Sequence, residues 1–198
     1  MRAAAALCCC IAWNAARAHA AQSIVPYFIA DGNGAPGYWT GDEQLALWAL
    51  NAWARAVPGL RLDSSQEAAA LVRLYWTQQP NQGLYGEMKP LSVGGRRGGA
   101  VFIQADVGLL GDDISSRAAL DPLFRDSVVY LTCLHEFGHA LGLSHTSDFR
   151  DIMYYFGFGG DIVNYFNRYR TQLRDRSDIA RTSGLSASDV RRLAAAFP

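Results

Sequence analysis

The sequence predicts an α/β fold, a twisted mixed sheet of about four to five strands packed on helices, and three observations carry that prediction. Strand-rich stretches alternate with stretches of helical period, and no internal repeat intervenes. Half of the residues are apolar, enough to fill a core and to exclude disorder as the ground state. The length, 198 residues, suits one domain. The formal charge of zero gives no electrostatic reason to expect a nucleic acid or an anionic membrane as partner.

Residues 1–20 stand apart from this pattern. Met1-Arg2 makes a positive start, Ala3 to Trp13 is apolar without an acid, and Ala18-His19-Ala20 fits the small-x-small cleavage rule. The stretch is expected to be a secretory signal peptide cleaved near Ala20, and it is too short for a permanent membrane span. The rival reading is a lipid anchor on Cys8, Cys9 or Cys10, against which the short preceding stretch counts. Export places the remaining chain, 21–198, in the periplasm or outside the cell, with no stable membrane insertion. Of the four cysteines only Cys133 then remains, so no internal disulfide is expected and Cys133 reads as a small buried hydrophobe.

The first strand is Ile24 to Ala30, followed by turn chemistry from Asp31 to Gly37. A helix is predicted from about Asp42 to Val57, where Leu45, Trp48, Ala49, Ala52 and Trp53 recur at three and four and Pro58-Gly59 stops it. Leu60 to Asp63 is a short strand, Leu71 to Thr77 a central one, and Gly83 to Met88 a short edge strand. Gly94 to Gly99 reads as a mobile loop with solvated arginines; it lacks the lysine and the helix of a phosphate-binding loop. Ala100 to Gln104 is the last strand. Asp121 followed by Pro122 starts a helix that runs to about Leu141, and Gly142 ends it. Ile162, Phe166, Tyr169 and Leu173 predict a further helix bearing Arg168, Arg170, Arg174 and Arg176 on a solvated face. Ser186 and Asp189 form a capping box for a last helix through Val190, Leu193 and Phe197.

The chemistry concentrates in Leu134 to Ser147. His135 and His139 are four apart, so a helix stacks them on one face about 6 Å apart along its axis. Neutral imidazoles so placed are standard zinc ligands. On a continuing helix His145 would lie about 9 Å further along, but Gly142 can take positive φ and fold the chain back. Three ligands leave a fourth position open, the arrangement of a catalytic rather than a structural zinc site. Glu136 stands beside the site, placed to take a proton from a water acidified by the ion and to return it to a leaving amine. Once His19 leaves, every remaining histidine belongs to this pattern.

His135-Glu136, His139, Gly142 and His145, with Met153 eight residues on, resemble the metzincin zinc metalloproteases, and within them the matrixins. Thr146 stands where matrixins usually carry serine. The resemblance implies an α+β zincin-type fold with the sheet over an active-site helix and a single catalytic domain over 21–198. It implies a secreted endopeptidase with one catalytic Zn2+ and peptide or protein substrates. Met153 would form a hydrophobic floor below the metal. Substrate would lie along the edge at Gly83 to Lys89, with Tyr85, Gly86, Glu87 and Met88 as the binding edge. The contrasting reading is a zinc-stabilised peptide- or protein-binding module with little turnover, which intact Glu136 argues against.

The departures from the matrixin pattern carry expectations too. No latency peptide with its cysteine is recognisable, and residues 100–106 lack the histidine and most of the acids of the family's second metal sites, so calcium is not expected to be obligatory. Met153 is followed by Tyr154-Tyr155 rather than tyrosine-proline. A tyrosine two residues past the methionine is similar to astacins and serralysins and implies Tyr155 as an oxyanion stabiliser. Residues 156–184 form an insertion after the Met-turn whose aromatics would wall the specificity pocket.

Overall fold

In a computed structural model of the protein, which describes residues 23–77 and 85–197, five strands form one sheet and five α-helices accompany it. The strands are β1 (Ser23–Ile29), β2 (Leu60–Ser64), β3 (Val72–Thr77), β4 (Gly86–Val93) and β5 (Arg96–Gln104). They lie in the order β2-β1-β3-β5-β4, all parallel except β4, which runs antiparallel to β5 at the edge. The helices are α1 (Asp42–Ala56), α2 (Asp112–Leu120), α3 (Pro122–Ala140), α4 (Ile162–Arg170) and α5 (Ala187–Ala194). The signal-peptide stretch and the predicted start of the edge strand at Gly83-Leu84 lie outside the described residues.

One face of the sheet makes the core. Val72 and Leu74 on β3 and Val101 and Ile103 on β5 are buried at a spacing of two, as a strand with one covered face requires. Against them pack α1, through Leu45, Ala49, Leu50 and Trp53, and the long α3. The Trp53 indole N–H also donates to Leu134 O at 2.9 Å, so a buried polar tip is satisfied on the very helix that carries the histidines. Asp121 caps α3 by accepting from the Leu123 and Phe124 N–H groups at 3.1 Å, with Pro122 in the first turn where its missing N–H costs nothing.

Three expectations change. Gly94 to Gly99 is not a loop: Arg96 to Gly99 belong to β5, and only Gly94-Gly95 turn, both at positive φ (56° and 77°), joining β4 and β5 in a two-residue hairpin. The strand glycines serve close approach, since a Cβ on Gly98 would sit 1.9 Å from Leu71 O and one on Gly99 2.9 Å from Ala140. The edge strand is correspondingly longer than predicted and passes through Pro90, which an edge tolerates. The insertion helix is shorter, ending at Arg170, and of the four arginines expected on its solvated face Arg174 is exposed while the other three are tied down. Arg168 donates to Phe149 O at 2.6 Å, Arg170 to both oxygens of Asp121 at 2.8 and 3.1 Å, and Arg176 to Asp126 at 2.9 Å and Gly41 O at 2.7 Å. Their partners come from distant segments, which sequence neighbourhood does not reveal. Helix α2 has no clear apolar period and was not anticipated.

Candidate active site

The last turns of α3 present His135 and His139 to a cleft under β4. Gly142 takes φ 103°, and Leu143 N–H closes the turn on Gly138 O at 2.9 Å. This reversal brings His145 back. The three Nε2 atoms lie 3.1 Å (His135–His139), 3.0 Å (His139–His145) and 3.2 Å (His135–His145) apart.

Donor atoms on a tetrahedral zinc at 2.0–2.1 Å would be about 3.3 Å apart, so the separation fits that ion. The tautomers fit as well. His135 Nδ1 lies 2.7 Å from Ile152 O and His139 Nδ1 2.8 Å from Leu143 O, which fixes those protons on Nδ1 and turns the Nε2 lone pairs inward. Burial, with the neighbouring His139, pushes His135 down to about 3, and burial also lowers His139 and His145. The imidazoles are therefore neutral at ordinary pH, the state in which they can ligate. Among the described residues this is the one such cluster.

Glu136 is 7% exposed. Gly86 of β4 lies so close that a Cβ there would come within 2.7 Å of Glu136 Cγ. Burial, then the charge of Glu87, pushes the Glu136 carboxyl up to about 8. A divalent cation on the histidines would oppose that shift, because positive charge favours the carboxylate.

Below the histidines Met153 is fully buried. A Cβ on Gly138 would meet its sulfur at 2.4 Å, so this turn of α3 rests directly on the thioether. The segment carrying Met153 pairs with the histidine loop: Thr146 N–H donates to Met153 O at 2.8 Å and Tyr155 N–H to Thr146 O at 3.1 Å. Sequence reasoning missed a residue here. Asp189, read only as half of a capping box, is fully buried and accepts from Ile152 N–H (2.8 Å) and Met153 N–H (3.4 Å). Its second task leaves no local trace, since the partners lie more than thirty residues away.

Tyr85, Gly86, Glu87 and Met88 all line the cleft, a cavity of about 450 Å³ that also holds the three histidines and Glu136. Its deeper part is apolar, walled by Leu131 of α3, Phe156, and Tyr165 and Phe166 of α4. Tyr85 closes it from the strand side, its ring 5.6 Å from that of Phe166 and its hydroxyl donating to Leu110 O at 3.3 Å. Tyr155, 46% exposed, stacks on His145 with ring centroids 4.8 Å apart. Among the described residues its hydroxyl has no hydrogen-bond partner. Cys133 is free and fully buried, and burial drives its thiol well above the usual range, so it serves as core.

A metalloprotease is the class that this fold and this site define. Comparison with known families goes a step further: the matrixin family matches residues 41–162, more than half of the chain, and the chain belongs to that family. The match runs from the residue before α1 to the first residue of α4 and contains every residue of the predicted metal motif. No curated protein matches the chain. Matrixins are zinc-dependent peptidases, so peptides or proteins are the substrates and the histidine cluster is a candidate metal centre. No helix among the described residues is long and apolar enough to cross a membrane.

Proposed function

We propose that this matrixin is an exported endopeptidase holding one zinc ion on His135, His139 and His145, with no obligatory calcium. The observation that carries the reading is the convergence of three neutral Nε2 atoms beside the buried carboxyl group of Glu136, directly under β4, the edge of the sheet among the described residues. Zinc held there would polarise a carbonyl and acidify water. The chain supplies the rest. An extended substrate adds its backbone to the outer edge of β4 at Gly86 to Met88. The side chain following the cleaved bond enters the apolar part of the cleft, whose aromatic walls favour a large apolar residue. Glu136 accepts a proton as water attacks and passes it to the departing amine nitrogen. Tyr155, whose ring stacks on His145, donates its hydroxyl to the developing oxyanion.

For export, residues 1–20 act as the signal peptide and residues 21–198 as the working domain. N-terminal sequencing of protein recovered from culture medium or periplasm should begin near Ala21, and a chain still starting at Met1 would refute export by this route. The activity is tested by profiling cleavage of a diverse peptide library, with metal content measured on the same sample. Internal cuts before large apolar residues, abolished by chelator and restored by zinc, are expected. Absence of cleavage by zinc-loaded protein would favour the binding-module reading instead.

A further inference from the structure

The segment beyond residue 162 lies outside the family match, yet besides Asp189 it reaches back to the metal centre at two further points. The histidine orientations depend on two backbone carbonyls, Ile152 O and Leu143 O, and both belong to irregular loops without a helix or sheet ladder to hold them. Side chains from α4 and α5 brace these loops beside the few backbone bonds that close them. On α4, the Tyr165 hydroxyl lies 3.2 Å from Ile152 O and 3.2 Å from Asp151 O. Burial raises its pKa, so it stays a donor. The single hydroxyl proton is shared between these two carbonyls, and Ile152 O, with two lone pairs, accepts from Tyr165 as well as from His135 Nδ1. On α5, Arg192 donates to Ser144 O at 2.7 Å, between the Leu143 carbonyl that orients His139 and the ligand His145.

We propose that Tyr165 and Arg192 are positioning residues of the metal centre, so that the segment beyond the family match completes the site. Tyr165 does more than brace a loop. Its ring walls the apolar part of the cleft, with its centroid 4.9 Å from that of Phe156, while its hydroxyl shares an acceptor with His135. One side chain therefore joins the pocket for a substrate side chain to the orientation of a metal ligand. Filling the pocket and holding the ion are coupled through it.

This inference rests on the metal-site reading, and the test separates the two. Zinc affinity is measured by chelator competition on metal-free wild type, Tyr165→Phe, Arg192→Met and Arg192→Lys, with unfolding midpoints of the same metal-free proteins. Cobalt(II) absorption then reports ligand geometry without turnover. Tyr165→Phe keeps the ring, and Arg192→Met keeps the stem. Each is expected to weaken zinc by roughly tenfold, the lower end of what partners of metal ligands contribute, with a shifted cobalt spectrum. The metal-free midpoints should move little, and Arg192→Lys should recover most of the affinity. If wild type binds zinc and both variants bind within about twofold of it, the positioning role is wrong. Affinity that falls only in step with metal-free stability would likewise overturn it. Wild type that binds no zinc would instead refute the underlying metal-site reading.

Discussion

At its first turns α3 carries Arg125 and Asp126, both buried and both paired with charges, whereas its last turns carry His135 and His139, whose imidazoles are kept neutral. Arg125 grips Asp42, the start of α1, and also donates to Gly37 O and Ala105 O, with Trp39 stacked over its guanidinium. Arg176 brings the C-terminal segment to Asp126, and Arg170 brings α4 to Asp121. One end thus ties four segments together with fixed ions. The other end leaves its polar atoms facing a cleft, available to a ligand. Structure and chemistry are separated along a single helix.

Breaking the ionic end should produce the largest loss of stability. The Arg125 and Asp42 side chains are 3% and 0% exposed, so Arg125→Met leaves a carboxylate buried without its partner, at a cost of about 3–5 kcal/mol. Urea unfolding of the metal-free protein measures it. Protein that survives should retain its zinc affinity, because no histidine contact is touched.

At the other end, Tyr155→Phe should lower kcat by roughly a hundredfold, the scale of one lost oxyanion donor, with stability unchanged. An unchanged kcat would leave Tyr155 as an aromatic neighbour of His145 and nothing more. Gly142→Ala is gentler. A Cβ there would meet no atom within 4 Å, so only the positive φ opposes it, by about 1–2 kcal/mol. That cost should appear in thermal unfolding and as weaker zinc binding, since the turn delivers His145.

Arg170→Met should matter least, although it too breaks an ion pair of the first end. Burial raises the Asp121 carboxyl, but Arg170 and the Phe124 and Leu123 N–H groups outweigh it and hold the group below its ordinary value. Both side chains are about a quarter exposed, so the loss at neutral pH should stay below about 1 kcal/mol. A depressed carboxyl stabilises the fold above its unfolded pKa and loses that contribution as pH falls. The difference between variant and wild type should therefore shrink below about pH 3.9. A difference that grows on acidification would contradict the assignment.

The same division marks what was legible in the sequence. The neutral end could be read residue by residue, because His135, His139, Gly142 and His145 act through local helical geometry and one forced turn. The alternation of strands with α1 and α3 was legible for the same reason: burial on one face leaves a period of two or of about four. The ionic end was not. Arg125 and Asp42 are 83 residues apart, and Arg176 and Asp126 are 50 apart, so neither pairing leaves a local pattern. Gly98 and Gly99 misled because a glycine required for close strand packing looks, in one dimension, like a glycine in a loop. The second role of Asp189 and the roles of Tyr165 and Arg192 are not legible because these side chains act on backbone atoms of distant loops, which no side-chain pattern encodes.

The claim that the neutral end performs peptide hydrolysis is tested most directly by the kcat of Glu136→Ala beside wild type, on one peptide, each at measured zinc occupancy. One zinc per chain is expected in both proteins, with a fall in kcat of about 10²–10⁴-fold, the usual share of a general acid–base group. A zinc-loaded Glu136→Ala that cleaves at the wild-type rate would contradict it.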